Sequence, residues 1–308
     1  LDAPDGVARL QARLLQTKQL TDDKTEAKIT MNNTSAGSKT FILGLGAQKC
    51  GTTWLHSYLS ENDNFEGGLA KEYHVWDAHD IPVMRHKQGT VLDLLRGGKK
   101  AERYRMQRDP NRYFDYFAGL LKDQITLTAD ISPSYSGLGK ERLAFIKSGF
   151  AERGIATKAV FLVRDPLNRI KSAVRYNLRK RNYNEGINRS ETDFIKALQQ
   201  YYQSDACIVR SSYDVTIRNA LEVFGAERAY IGVYESMFSQ SEIARLSDFC
   251  EVSLQTHLSE VYVKKTDGAM DQDPKLESEI LKTYRGVYDY CFETIPQTRQ
   301  LWNVPPAD

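Results

Sequence analysis

The chain of 308 residues sets 42 lysines and arginines against 40 aspartates and glutamates, a formal net charge of +2, and 41% of it is hydrophobic. That length and apolar content support one large or two small domains, while the near balance of charge excludes a general nucleic-acid binder, so any anion site must be local. Four cysteines, at positions 50, 207, 250 and 291, show neither C-x-x-C nor zinc-finger spacing, which argues against a disulfide framework and a structural metal and points to a reducing, cytoplasmic setting.

No stretch approaches the ~18 apolar residues of a membrane span, and the first residues lack the charged and apolar regions of a signal peptide. The sequence starts at Leu1 rather than methionine, as in a processed chain or a piece of a larger polypeptide. Within residues 1–38, Val7, Leu10, Leu14 and Leu15 fall at helical spacing, with Arg9 and Arg13 left for the other face. This predicts a short packed N-terminal helix. The polar run "TDDKTEAKITMNNTSAGSK" that follows reads as a flexible linker. Residues 39–308 then form one domain. Phe41–Leu45, Ile125–Ile131, Ala159–Val163 and Tyr230–Val233 read as strands separated by amphipathic stretches. Such alternation predicts an α/β fold with helices on both faces of a parallel sheet, a three-layer α/β/α arrangement.

In "FILGLGAQKCGTTWLHSYL", residues 41–59, an apolar strand runs into Gly44, Gly46 and Gly51, and Thr52 and Thr53 open a helix striped by Trp54, Leu55, Tyr58 and Leu59. A loop of this kind aims free backbone N–H groups and the positive end of a helix dipole at one spot, which favours an anion. The ATP-type loop places lysine directly after its last glycine. Here Lys49 precedes Cys50 and Gly51, so the lysine lies inside the loop. Farther on, "KEYHVWDAHD" brings Glu72, His74 and Asp77 together; in an extended segment Glu72 and His74 project to the same side. The insert with Lys99, Lys100, Arg103, Arg105 and Arg108 reads either as a solvated helix face or as a surface for an anionic acceptor. "ADISPSYSG" sets Asp130, Ser132, Pro133 and Tyr135 after a strand, and Asp130 there also admits a reading as the magnesium carboxylate of a kinase. In "KAVFLVRDPLNRIKSAVRYN" a strand ends at Arg164, Asp165 caps the next helix and Pro166 occupies its first turn. Arg164 and Ser172 can then both face the crevice at the carboxyl ends of the strands, where an arginine offers bidentate hydrogen bonds to phosphate. Near the end, "EVYVKKTDGAM" holds Lys264, Lys265, Thr266 and Gly268, by itself an ordinary solvated turn.

"GAQKCGTTWL" resembles the 5′-phosphosulfate loop of the sulfotransferases that use 3′-phosphoadenosine 5′-phosphosulfate (PAPS), P-loop relatives with the lysine moved. The resemblance extends over roughly residues 40–303, with four matches in the expected order. It implies a P-loop-like α/β/α domain with a central parallel sheet of about five strands, PAPS as donor, 3′-phosphoadenosine 5′-phosphate (PAP) as product, and no required metal. Gln48, Lys49, Cys50, Gly51, Thr52 and Thr53 would cradle the phosphosulfate. Arg164 and Ser172 would hold the 3′-phosphate, and Lys265, Thr266 and Gly268 would close over the donor. The Glu-x-His-x-x-Asp segment is similar to that of heparan-type carbohydrate sulfotransferases and their bacterial relatives. That likeness implies Glu72 as general base, His74 and Asp77 beside the acceptor, and Ser132 and Tyr135 in an acceptor loop. Lys49 and Lys265 would stabilise charge on the leaving oxygen.

The expected reaction is sulfuryl transfer to a hydroxyl or amine of a saccharide or hydroxylated small molecule, with no nucleic-acid partner. A P-loop kinase is the alternative; a sulfotransferase domain of a larger biosynthetic enzyme acting on a carrier-tethered hydroxyacyl group is a second, and a non-catalytic nucleotide-binding module a third. The chain shows no cysteine pair near its C-terminal lysine loop such as several Golgi members of the heparan subgroup carry, which weighs against a polysaccharide acceptor more than against the reaction.

Overall fold

The computed structural model describes residues 38–255, 272–302 and 304. The N-terminal helix and nearly all of the linker expected over residues 1–38 lie outside them. The strands are β1 (Thr40–Gly46), β2 (Phe65–Glu66), β3 (Leu127–Ile131), β4 (Ala156–Val163) and β5 (Ala229–Val233). They form one five-stranded sheet in the order β2-β3-β1-β4-β5, and every pairing is parallel. The central position of β1 follows from its composition: all of "TFILGLG" is buried, as a strand covered on both faces requires. Every strand read from the sequence is present, with shifted ends: Ile125 and Thr126 precede β3, and β4 begins at Ala156. β2 spans Phe65 and Glu66 alone, with Glu66 exposed, and so short a segment carries no periodicity that a sequence could display.

The helices are α1 (Thr52–Ser60), α2 (Gly98–Arg108), α3 (Pro110–Leu120), α4 (Lys140–Ala151), α5 (Pro166–Lys180), α6 (Phe194–Tyr201), α7 (Asp205–Ser211), α8 (Tyr213–Phe224), α9 (Gln240–Cys250), α10 (Pro274–Thr283) and α11 (Arg285–Thr294), with shorter turns between. Asp-Pro punctuation starts several of them. Asp109, Asp165 and Asp273 each accept a backbone N–H of the helix they precede, and Pro110, Pro166 and Pro274 fill the first position, where no N–H is needed. α3 packs on β3, α4 and α8 on β4, and α9 on β5. The Phe41 ring of β1 stacks on Phe150 of α4 at 3.9 Å and meets Phe117 of α3 edge-on at 4.9 Å. In the insert, Lys99, Lys100, Arg105 and Arg108 are exposed, which fits the solvated-face reading, while Arg103 turns inward to the Glu72 carbonyl at 3.3 Å. No helix among the described residues is long and apolar enough to cross a membrane.

β1 pairs on one side with β3 and on the other with β4, and the crevice beyond the carboxyl end of such a strand is where open α/β sheets bind ligands. The crevice is tight on one side. At Gly46, whose φ is 107°, a Cβ would stand 2.3 Å from the Pro133 carbonyl oxygen, so glycine alone lets the loops after β1 and β3 approach. Phe41→Ala should cost about 3–5 kcal/mol through the cavity left among the rings of Phe150, Phe117 and Tyr113. Leu92→Ala, at a side chain 61% exposed, should stay within about 0.5 kcal/mol. Urea unfolding of the two variants tests this, and equal losses would contradict the packing described.

Candidate active site

The loop from β1 to α1 presents an unfilled set of donors. Gly51 caps α1 at φ 92° with no side-chain cap and no acidic residue in the first turn. Among the described residues the amides of Gln48, Lys49, Gly51, Thr52 and Thr53 make no hydrogen bond, as the first N–H groups of an uncapped helix do not. Lys49 adopts φ 69° and its Nζ lies 4.8 Å above the Tyr176 ring. Burial and the charges of Arg179 and Arg164 lower its pKa. Cys50 differs from expectation. Its amide donates to the Ala47 carbonyl at 3.2 Å, its Sγ lies 3.7 Å from the Tyr213 hydroxyl in the core, and burial pushes the thiol up to about 12. It shapes the loop without lining the cavity.

The loop after β2 supplies the second wall. His74 has φ 52°, so the segment is not extended and strand alternation does not bring Glu72 and His74 together; a scaffold of hydroxyls does. Tyr73 and His74 donate their amides to Ser132 Oγ at 3.0 and 3.2 Å, and Val75 donates to the Tyr135 hydroxyl at 3.2 Å. Both hydroxyls in turn donate to Asp130 at 2.7 Å. Ser132 and Tyr135, expected at the acceptor, are thus buried behind the loop; Pro133 and Ser134 reach the cavity instead. Asp130 has no exposed surface. Burial pushes its carboxyl up to about 6 against the pull of the Ser132 and Tyr135 hydrogen bonds, and Tyr113 donates to it as well at 3.1 Å. So committed a carboxylate is not a magnesium ligand at the strand end.

The result is a chain of charged groups. Lys71 Nζ lies 2.7 Å from Glu72 Oε1, Glu72 Oε2 3.2 Å from His74 Nε2, and His74 Nδ1 2.7 Å from Asp77 Oδ2. Asp77 is fully buried and also accepts from Ser134 Oγ at 2.7 Å, so it orients His74 without facing the cavity. Burial works to lower the His74 pKa, but hydrogen bonds to Asp77 and Glu72 and the Asp77 charge raise it above its ordinary value. Burial likewise works to raise Glu72, and hydrogen bonds from His74 and Lys71 with the Lys71 charge overcome it and hold Glu72 at about 2. Lys71 also reaches toward α1, with Nζ 3.5 and 3.4 Å from the Thr52 and Thr53 hydroxyls.

Arg164, at the end of β4, stacks on Tyr234 at 4.5 Å and donates to the Lys49 carbonyl at 3.3 Å, while its buried Nε has no partner among the described residues. Ser172 and Tyr176 lie one turn apart on α5 and both reach the cavity. The far wall is a buried ion pair of Arg210 with Glu185 at 2.6 Å; Gln48 reaches Glu185 at 3.5 Å. The cavity, about 400 Å³, is therefore lined from the loop after every strand: Lys49 after β1, Glu72 after β2, Ser134 after β3, Arg164 after β4 and Tyr234 after β5. Lys71, Lys87, Glu185, Arg210, Tyr176 and Tyr234 line it without having been singled out from the sequence. Lys71 was within reach there, one residue before Glu72; the others arrive by folding alone. Lys265, Thr266 and Gly268 lie outside the described residues.

A parallel sheet with an uncapped glycine loop, an inset lysine and a carboxylate facing them defines a P-loop-like enzyme of group transfer. The chain matches the sulfotransferase domain family over residues 39–283 and belongs to that family. It is an enzyme of sulfuryl transfer, and the kinase and non-catalytic alternatives fall. The sulfotransferase of Alicyclobacillus acidocaldarius is 19% identical and superposes with a TM-score of 0.55, covering 84% of this chain and 96% of that one. The sulfotransferase domain from the curacin biosynthetic pathway is 17% identical, with a TM-score of 0.47 over 87% of this chain and 99% of that one. The sulfotransferase domain from the Synechococcus PCC 7002 olefin synthase is 18% identical, with a TM-score of 0.46 over 92% and 100%. No curated protein sequence gave a significant match.

Because the folded-state pKa of His74 is raised, its contribution to stability is complete below the unfolded value near 6.5 and is lost as pH rises through the folded value. Thermal melting from pH 5 to 9 should show the wild type losing more stability above about pH 6.5 than His74→Gln. Parallel curves would refute the Glu72–His74–Asp77 chain.

Proposed function

We propose that this chain moves the sulfuryl group of PAPS to a hydroxyl or amine of a carbohydrate or hydroxylated small molecule, with Glu72 as general base. The observation that carries the reading is the position of Lys71, in contact with Glu72 and with both threonines at the head of α1. A base for an acceptor proton and a cradle for an anion therefore share one wall. The groups present fit the donor: the amides of Gln48, Lys49, Gly51, Thr52 and Thr53, unbonded among the described residues, and the cationic Lys49 suit a phosphosulfate, and the Nε of Arg164, without a partner among those residues, suits a second phosphate together with Ser172.

In the transfer, Glu72 takes the proton from the acceptor, whose oxygen or nitrogen pair forms the new bond to sulfur. The bond between sulfur and the bridging oxygen breaks, and that oxygen leaves with its electron pair on PAP. Lys49 and the loop amides stabilise the charge that grows there. Asp77 fixes the His74 ring, and His74 fixes Glu72. The finer likeness to carbohydrate sulfotransferases rests on this Glu72, His74 and Asp77 chain.

Calorimetric titration should give tight binding of PAP without metal, weaker binding of ATP with magnesium, and a loss of about 10- to 100-fold for PAP in Arg164→Ala, the worth of a hydrogen bond to a charged group. A preference for magnesium-ATP would sink the donor assignment. Glu72→Gln should lower kcat by about 10²- to 10⁴-fold without weakening PAP; an unchanged kcat would remove Glu72 as base.

A further inference from the structure

Lys71 is held by two parties at once. Its Nζ forms a 2.7 Å ion pair with Glu72, yet stands at the outer limit of hydrogen bonding from Thr52 and Thr53 Oγ1, at 3.5 and 3.4 Å. The amides of those same threonines make no hydrogen bond among the described residues. Both members of the ion pair keep solvent access, with side chains 21% and 36% exposed. A lysine is a compact charge on a flexible stem, so a short swing carries this one from the carboxylate to whatever sits on the α1 amides. Other titratable or charged groups near Glu72 are His74 on the same loop, His56 on α1, whose pKa burial and the Lys71 charge lower, and Arg103 on α2. Among the described residues, Lys71 is the one with hydrogen-bond contacts to both Glu72 and the threonines.

We infer that Lys71 is a cation shared between base and donor: Glu72 holds it in the donor-free enzyme, and an incoming phosphosulfate or 5′-phosphate on the α1 amides takes it over. This inference rests on the PAPS reading above. The seated anion offers several charged oxygens where Glu72 offers one carboxylate, and charge-assisted hydrogen bonds to such a group are among the strong ones. Two consequences follow from one movement. Lys71 adds its charge beside the oxygen that becomes the leaving group, joining Lys49. Glu72, held by His74 and Lys71 to a very weak basicity, loses one of its two restraints and gains affinity for a proton when the donor is in place. The base is thereby switched on by the substrate whose transfer it serves, and the acceptor proton has no strong base to meet in an enzyme without donor.

A double-mutant cycle on PAP affinity, measured by calorimetry with the whole chain, tests the exchange. Glu72→Gln should tighten PAP about 3- to 10-fold, because Lys71 no longer leaves an ion pair to reach the phosphate. Lys71→Met should weaken PAP about tenfold or more, and Lys71→Arg should recover most of that loss, which a merely structural lysine would not require. In the Lys71→Met background Glu72→Gln should change PAP affinity by less than about twofold. An equal tightening in both backgrounds would mean that Glu72 repels the anion directly, and would overturn the inference, as would a Lys71→Met protein that binds PAP like the wild type. A wild-type protein that does not bind PAP at all would overturn the donor assignment together with this one, so the two failures are told apart.

Discussion

Asp130 is a carboxylate with no access to water, and the placement of the reactive groups hangs from it. It sits on β3 in a strand whose every residue is buried, where an unpaired charge would be prohibitively costly. The chain satisfies it with the hydroxyls of Ser132, Tyr135 and Tyr113. Two of those hydroxyls then accept the amides of Tyr73, His74 and Val75, so the loop after β2 is tied to the sheet through a carboxylate. Its backbone can hold His74 at positive φ because these bonds over-determine it. Glu72 and Lys71 owe their reach into the cavity to the same anchoring. The polar network stays satisfied and becomes a rigid mount.

Electrostatics divides the cavity into groups that are spent and groups that are free. Arg210 is matched to Glu185 inside the wall, and Asp77 is matched to His74 and Ser134. These pairs set shape and orientation. Lys49 stands over an aromatic ring with a lowered pKa, and Arg164 keeps a buried Nε without a partner among the described residues. The charges of Lys49 and Arg164, close enough to bear on each other, make a local well for an anion on a protein whose net charge is only +2.

The close contact of Gly46 with Pro133 explains why the two halves of the site are separate in sequence and joined in space. It brings the end of β1, which carries the anion loop, against the segment that anchors the Glu72 loop. The same contact shows where local reading stops. Ser132 and Tyr135 were expected at the acceptor because of the likeness to carbohydrate sulfotransferases; in the structure their hydroxyls face inward to Asp130, and Ser134 between them faces the cavity. A sequence shows that hydroxyls are near a strand end, and which of them turns inward depends on the buried charge they answer to.

The sequence by itself determined the parallel sheet, the loop after β1 with its inset lysine, the Asp-Pro start of α5 and the pairing of Arg164 with Ser172 on one crevice. These are local: strand burial, helix capping and the donors of a helix terminus are written in neighbouring residues. Only the tertiary structure decided that β2 exists, that Cys50 turns into the core, that His74 leaves the extended conformation, and that Glu185, Arg210, Tyr234 and Lys87 share a cavity with Lys49. Those outcomes depend on contacts between residues far apart in the chain, where the burial of one charge or the lack of room for one Cβ selects among conformations that local preference leaves equal.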